Sequence, residues 1–187
     1  MMSAAVVFLC LTQPELLLIT RLKNNNLDPK TSKIDVLIIG GGLAGLTSAI
    51  HLSRFNFKVL LIEKNSYPKH KVCGEYISNE VLPYLKVLGF DPFEFGAKRI
   101  SNFELTTHNN KIIRAKLPLG GFGMSRHQMD FQLYQLAINN GVEALQDTVV
   151  DVNFEEDNFC IKTKLNQQFH SKIVTVSYTH LTLPTKA

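Results

Sequence analysis

The sequence is most constrained by a glycine-rich turn, Gly40-Gly41-Gly42-Leu43-Ala44-Gly45, between an apolar run and a segment of helical periodicity. Residues 34–39 are mostly apolar and β-branched, which predicts a buried parallel strand. Apolar residues from Leu43 to Ile50 recur at helical spacing, and residues 59–62 predict a second buried strand ending at Glu63. Strand, tight turn, helix and strand together predict one βαβ unit.

Each part of the turn has a physical task in binding a dinucleotide. Gly40 allows the tight turn, Gly42 lets the backbone approach a pyrophosphate without a Cβ, and Gly45 lets helix and strand pack closely. The first helical residues, Leu43 and Ala44, offer N–H groups and the positive end of the helix dipole to the phosphates. The spacing therefore predicts a dinucleotide site.

Glu63 lies eighteen positions after Gly45, at the predicted end of the second strand. Its carboxylate can accept hydrogen bonds from both ribose hydroxyls of an adenosine and would repel a 2′-phosphate, which disfavours NADP. The alternative is a glycine-rich turn of an α/β fold that binds nothing. The combination of strand, glycines, helix and acid favours binding, but the βαβ unit does not choose between NAD and FAD.

Charge and cysteine spacing argue against several other classes of protein function. The net charge is +4, but the basic residues are scattered, so we expect no nucleic-acid binding. Cys10, Cys73 and Cys160 lie far apart without CxxC spacing, which predicts no disulfide framework and no metal site, and fits a reducing cytoplasm.

The first 33 residues are expected to form an N-terminal extension and linker. The apolar runs at 4–11 and 16–19 are much shorter than the roughly 18 residues that a membrane-spanning helix needs. No basic residue precedes the first run, as a signal peptide would require. Membrane association is therefore expected to be absent or peripheral, with an anchor at the first run as the alternative.

The rest of the chain alternates predicted helices and strands. A helix is expected over 79–88, closed by Gly89, and Ser125 with Gln128 matches a capping box that opens a second helix ending at Gly141. Strands are expected at 100–107 and 111–117, around a turn at Asn109-Asn110, and at 149–154, 159–163 and 169–174.

Three passages of the sequence resemble the geranylgeranyl reductase-like flavoproteins, within the larger group of FAD-dependent monooxygenases and halogenases. They are residues 35–45 with Glu63-Lys64, the segment Tyr67-Pro68-Lys69-His70-Lys71-Val72-Cys73-Gly74-Glu75, and Gly123-Met124-Ser125-Arg126 followed by Asp130 and Leu133. The resemblance implies an α/β, Rossmann-like FAD/NAD(P)-binding domain of three-layer ββα architecture, incomplete and with an inserted β-hairpin. It covers about residues 33–174.

The resemblance also implies roles for individual residues. Glu63, beside Lys64, would bind the adenosine ribose of FAD, and Arg126 the phosphate and ribose region. Lys71, Cys73 and Gly74 would pass near the isoalloxazine, where a cation stabilises the negative charge of a reduced flavin. NAD(P)H is a candidate electron donor, and no catalytic residue is assigned.

Each of these residues has a simpler alternative. Arg126 could be a solvated residue of the first helical turn, and Lys71 part of a solvated loop. Cys73 could be a small buried apolar residue, as free cysteines usually are. Glu75 beside it could serve in proton transfer, with an exposed surface role as the alternative.

Members of the resembled family continue beyond this length with a second flavin-binding glycine motif. Here residues 176–187 instead resemble a translated sequencing adaptor, so we expect a binding domain at 34–175 and an artefactual tail. The alternative is a natural terminal β-strand that ends near a proline. The parent protein is expected to be a flavin-dependent oxidoreductase acting on a small molecule, for which an isoprenoid is the candidate, and this fragment to be inactive. The alternatives are an FAD-dependent monooxygenase or a non-enzymatic dinucleotide-binding fragment.

Overall fold

The computed structural model describes residues 34–177, which form two compact units. The first unit contains residues 34–66 and 134–177, and the second contains residues 67–133. In chain order, the elements are β1 (Val36–Ile39), α1 (Leu43–Arg54), β2 (Val59–Glu63), β3 (Tyr76–Ser78), α2 (Leu82–Val87), β4 (Lys98–Thr106), β5 (Ile112–Gly123), α3 (Arg126–Asn139), β6 (Glu143–Gln146), β7 (Val149–Glu155), β8 (Asn158–Thr163), β9 (Gln168–Ser171) and β10 (Ile173–Val176).

A four-stranded parallel sheet in the order β10-β1-β2-β6 forms the centre of the first unit. All four residues of β1 are buried, as expected of a parallel strand covered on both faces. Helix α1 contacts β1 and β2 and buries Leu46, Ala49 and Ile50. The βαβ prediction is therefore confirmed.

An antiparallel sheet, β7-β8-β9, covers part of the same unit. Leu37 and Ile39 of β1 share one core cluster with Phe159 and Ile161 of β8. Because side chains alternate along a strand, Val36 and Ile38 face the opposite side of the parallel sheet. The unit thus has helix, parallel sheet and antiparallel sheet as three layers, which confirms the predicted fold class.

The second unit contains a three-stranded antiparallel sheet in the order β3-β5-β4. Strands β4 and β5 form the predicted inserted hairpin, and Asn110 in its turn has a φ of 57°, a left-handed conformation that asparagine tolerates. The helix expected over 79–88 is shorter than predicted. Residues Asn79–Val81 form a 3₁₀ turn, and α2 begins only at Leu82 because Pro83 suits the first turn of a helix.

The start at Ser125 and the end at Gly141 that the sequence predicts for α3 are confirmed. The Ser125 hydroxyl accepts a hydrogen bond from the Gln128 N–H at 3.2 Å, which is one half of the expected capping box at α3. The residues that end the helices, Asn56 after α1 and Gly141 after α3, have φ values of 60° and 83°.

The single strand expected over 169–174 is wrong, because the structure has two strands there. Strand β9 pairs antiparallel with β8, whereas β10 pairs parallel with β1. The buried Ser171 lies at the break, and its hydroxyl lies 3.2 Å from the Asp35 carbonyl oxygen and 2.8 Å from that of Ile173. These side-chain bonds satisfy backbone carbonyls at the break, where the chain passes from one sheet to the other.

Strand β6 was not predicted from the sequence. Three of its four residues are exposed, so it lacks the continuous apolar run of β1 and β2. Its place at the sheet edge explains this pattern. No helix among residues 34–177 is long and apolar enough to cross a membrane. The predictions for residues 1–33 and 178–187 lie outside the described residues.

The buried histidine of α1 makes the stability of the fold dependent on pH. Burial of His51, with a smaller contribution from the charge of Arg54, lowers its pKa below 6.5, and its ring stacks on Phe55. The folded state therefore favours neutral His51, and this stabilisation is present above about pH 6.5 and is lost as the pH falls through the lowered pKa. We expect Tm to fall between pH 7.5 and 5.5, and His51→Gln to reduce that fall. The same replacement at the exposed His170 is the control, and an equal effect there would contradict the assignment.

Candidate functional site

The glycine loop follows β1 at the carboxyl end of the parallel sheet. Gly40 has a φ of 103°, which favours glycine, and its N–H donates to the Ile62 carbonyl of β2 at 2.8 Å. The next amide, Gly41 N–H, donates to Glu63 Oε2 at 2.7 Å. The loop is therefore held against the end of β2 by backbone and side-chain hydrogen bonds.

Gly42 is the N-cap of α1, and no side chain caps this helix. The first intrahelical bond runs from Leu46 N–H to Gly42 C=O at 2.9 Å. Helix geometry leaves the N–H groups of Leu43, Ala44 and Gly45 without intrahelical acceptors, and the first turn carries no acidic side chain. These donors and the helix dipole suit an anion such as a pyrophosphate.

Gly45 lies where α1 and the loop come closest. A Cβ at this position would clash with the Gly40 carbonyl oxygen and would lie 3.3 Å from the Ser177 Cβ. The glycine is thus required by the packing of the helix against the strand end, the task expected from the sequence.

A groove of about 240 Å³ opens at the carboxyl ends of β1 and β2, beside the residues that follow β6. Its lining residues come from these three strand ends; they are Ile39, Gly40, Ile62, Glu63, Lys64, Asp147, Thr148 and Val149. In open α/β sheets, ligands bind outside the carboxyl ends of the strands. The groove therefore lies where the βαβ unit predicts a nucleotide.

Glu63 is the acid at this groove, and both of its carboxylate oxygens accept backbone hydrogen bonds. Oε2 accepts from Gly41 N–H at 2.7 Å and Oε1 from Asn65 N–H at 3.0 Å. The carboxylate therefore orients the loop at the groove that it lines.

Asp147 also lines the groove, although no motif in the sequence marked it. It follows β6, is 6% exposed, and accepts hydrogen bonds from Thr148 N–H at 2.6 Å and Leu165 N–H at 3.3 Å. Burial raises its pKa, but the hydrogen bonds from the Thr163 hydroxyl and from these two amides, with the charge of Lys164, outweigh burial and hold the pKa below 3.8. Asp147 is therefore ionised at neutral pH.

Arg126 lies in the second unit and is not the solvated side chain that the sequence left open. It forms a bidentate ion pair with Asp130, with both N–O distances at 2.8 Å and side-chain exposures of 11% and 0%. The hydrogen bond to Asp130 raises the pKa of Arg126; burial opposes this, and Cys73 adds a smaller hydrogen-bonding and charge effect.

Lys71, Cys73 and Gly74 lie in an exposed segment of the second unit without regular structure. The alternative of a buried Cys73 is wrong, because its thiol is free and exposed. Its Sγ accepts a hydrogen bond from Glu75 N–H at 3.4 Å. The nearby His70 ring packs against the His127 ring with the centroids 4.5 Å apart and the planes tilted by 31°. The predicted site residues thus divide between the two units: those from Gly40 to Lys64 belong to the first unit, and Lys71, Cys73, Gly74 and Arg126 belong to the second.

Residues 35–72 match the family model described as FAD dependent oxidoreductase. An uncharacterised protein of Methanosarcina barkeri is 30% identical over 139 residues, 70% of this chain and 34% of that protein. A flavin-dependent halogenase of Armillaria mellea is 40% identical over 57 residues, 30% of this chain and 11% of the halogenase. A digeranylgeranylglycerophospholipid reductase of Sulfolobus acidocaldarius is 45% identical over 51 residues, 26% of this chain and 11% of the reductase.

The flavin-dependent brominase Bmp2, a solved structure, superposes with a TM-score of 0.66 at 22% identity, covering 79% of this chain and 38% of the brominase. This likeness shows the fold. The chain spans about a third of the length of the first curated relative that it matches. The matched segment 35–72 contains the glycine loop and Glu63, so this part of the chain is similar to the FAD dependent oxidoreductases.

The close approach at Gly45 gives a direct test of the loop geometry. We expect Gly45→Ala to lower the free energy of unfolding by about 1–3 kcal/mol, because the added Cβ meets a backbone oxygen that cannot rotate away. The measurement is urea unfolding followed by circular dichroism. Gly74→Ala is the matched control, since nothing lies within 4 Å of a Cβ there. Equal stability of the two variants would contradict the geometry.

The buried ion pair of α3 gives a second test. Asp130→Asn leaves Arg126 without its counter-ion, and we expect it to lower the free energy of unfolding by about 2–4 kcal/mol. Glu104→Gln breaks an exposed ion pair, in which the Glu104 side chain is 50% exposed and the Arg114 side chain 72% exposed. We expect this variant to change the free energy of unfolding by less than about 1 kcal/mol. Similar losses of unfolding free energy in both variants would show that the buried Arg126–Asp130 pair stabilises the fold no more than the exposed pair does.

Proposed function

We propose that the chain binds FAD and that the ADP half of the cofactor occupies the groove of the first unit. One observation carries the proposal. The glycine loop, the uncapped start of α1 and the Glu63 carboxylate meet at the carboxyl end of the parallel sheet, and a hydrogen bond from Gly41 N–H to Glu63 joins them. Amide donors for phosphates and a carboxylate for a ribose are the two contacts that an adenosine diphosphate needs.

The conformation of Gly42 supports a ligand at this point. Its φ of −84° and ψ of −172° are accessible to any residue, so the turn itself does not demand glycine there. By contrast, Gly40 has a positive φ and Gly45 lacks room for a Cβ. A glycine that its own backbone conformation does not require fits a backbone that must approach a phosphate closely.

FAD is favoured over NAD by the match of residues 35–72 to the FAD dependent oxidoreductases. FAD would supply hydride and electron transfer at its isoalloxazine. In this proposal, Lys64 lies beside Glu63, and Lys71, Cys73, Gly74 and Arg126 keep the flavin and phosphate roles that the family resemblance implies for them.

For the whole protein, we propose a flavin-dependent oxidoreductase that acts on a small molecule and takes electrons from NAD(P)H. Reduction of an isoprenoid double bond is one branch, supported by the segment at residues 67–75 and by the reductase of Sulfolobus acidocaldarius. The second branch is halogenation, since halogenases belong to the same larger group as the monooxygenases. It is supported by the Armillaria mellea halogenase, which matches 57 residues where the reductase matches 51. The free Cys73 and Cys160 support a reducing cytoplasmic location.

A serine at Gly42 separates ligand binding from stability. Serine is at least as good an N-cap as glycine, so Gly42→Ser should preserve or raise Tm. Its Cβ would obstruct the phosphate, and we expect the affinities for ADP and FAD to fall at least about tenfold, measured by isothermal titration calorimetry. Undiminished affinity for both ligands would overturn the proposed site.

Ligand selectivity tests the role of Glu63 in the same experiment. The chain should bind ADP more tightly than the analogue with a 2′-phosphate, and Glu63→Gln should narrow that difference by removing the repulsion. A wild-type chain that preferred the 2′-phosphorylated ligand would contradict the assignment.

A further inference from the structure

Asp147 holds two parts of the groove wall together. Its own N–H donates to the Glu63 carbonyl at 3.1 Å, and its carboxylate accepts from Thr148 N–H at 2.6 Å. Asp147 and Thr148 follow β6 and line the groove; in the sheet order β1-β2-β6, the strand end with Glu63 lies between them and the glycine loop. The residue therefore connects the strand end that carries Glu63 with the next strand end.

The same carboxylate also ties the groove wall to the antiparallel sheet. Leu165 N–H donates to Asp147 Oδ2 at 3.3 Å, and the Thr163 hydroxyl bonds to the carboxylate. The turn between β8 and β9 is further attached by Lys164 N–H, which donates to the Thr148 carbonyl at 2.8 Å. A buried carboxylate with several hydrogen-bond donors is held in place, because any movement of it leaves polar groups unpaired.

We infer that Asp147 is a positioning residue for the adenosine end of the nucleotide, and that it acts by fixing the Thr148–Val149 wall of the groove relative to Glu63. This inference rests on the proposed function. The ligand class is a nucleoside diphosphate with an unmodified ribose. The charged groups of the groove and its surroundings are Glu63, Lys64, Asp147 itself and Lys164.

Asp147→Asn tests the inference because the amide keeps the shape of the carboxylate but places a donor where an acceptor is needed. We expect its affinity for ADP to fall about tenfold at pH 7.5, as for the loss of one hydrogen bond to a charged group. Its affinity for inorganic pyrophosphate, which contacts only the loop and the start of α1, should stay as in the wild type. A general loss of structure would weaken both ligands together, so the ratio of the two affinities isolates positioning.

Asp151→Asn is the matched control, since it makes the same change of charge on β7 of the same unit, where Asp151 is 44% exposed and pairs with Lys162 at 3.9 Å. It should leave the ADP affinity unchanged. Equal losses in the two variants, or wild-type ADP affinity in folded Asp147→Asn, would overturn the inference while leaving the proposed function intact. A wild-type chain that binds neither ADP nor FAD would instead refute the proposed function.

Thr163→Val provides a second route if Asp147→Asn does not fold. It removes the hydroxyl that bonds to the carboxylate, together with the bonds of that hydroxyl to the Gln167 backbone, while keeping the volume of a residue that is 2% exposed. A smaller loss of ADP affinity, about threefold, with unchanged pyrophosphate affinity supports the inference. Unchanged affinity for both ligands would overturn it.

Discussion

The hydrogen bond from Gly41 N–H to Glu63 Oε2 joins two structures that the chain builds separately, the loop after β1 and the end of β2. A loop rich in glycine loses more conformational entropy on folding than any other segment of its length, so it needs such a constraint. The bond to Glu63 and that from Gly40 N–H to Ile62 C=O supply it. They hold the start of α1 in place, and with it the amide donors that the proposed ligand requires.

Much of this arrangement could be predicted from the sequence, because it depends on local constraints. The parallel strand is recognisable in the sequence as a short apolar run. Gly40 is recognisable because it follows that run directly, where a tight turn is needed, and Glu63 because it ends the next apolar run. The predicted position of Gly45 also has a local cause, the contact of its backbone with the Gly40 carbonyl. For the strand and the two glycines, one short segment contains both the signal and its structural reason.

The features that escaped prediction depend on contacts between distant segments. Asp147 lies in a polar stretch without a motif, and its partners at Thr163 and Leu165 are known only once β8 and β9 are folded beside β6. Strand β6 is an edge strand with little apolar pattern, and the break at Ser171 depends on the Asp35 carbonyl 136 residues away. Periodicity within a segment carries no information about such pairings.

The two acids of the groove are coupled through the backbone. Glu63 bonds to the loop with its side chain and to Asp147 N–H with its carbonyl, while the Asp147 side chain bonds to Thr148 and to the turn after β8. The glycine loop, Glu63 and the Asp147–Thr148 segment are therefore joined by one series of hydrogen bonds across the ends of β1, β2 and β6. Groups that share a network do not contribute independent free energies, since removing one member also changes the geometry offered by the next. The proposed selectivity for an unmodified ribose is thus better attributed to this network than to the charge of Glu63 alone.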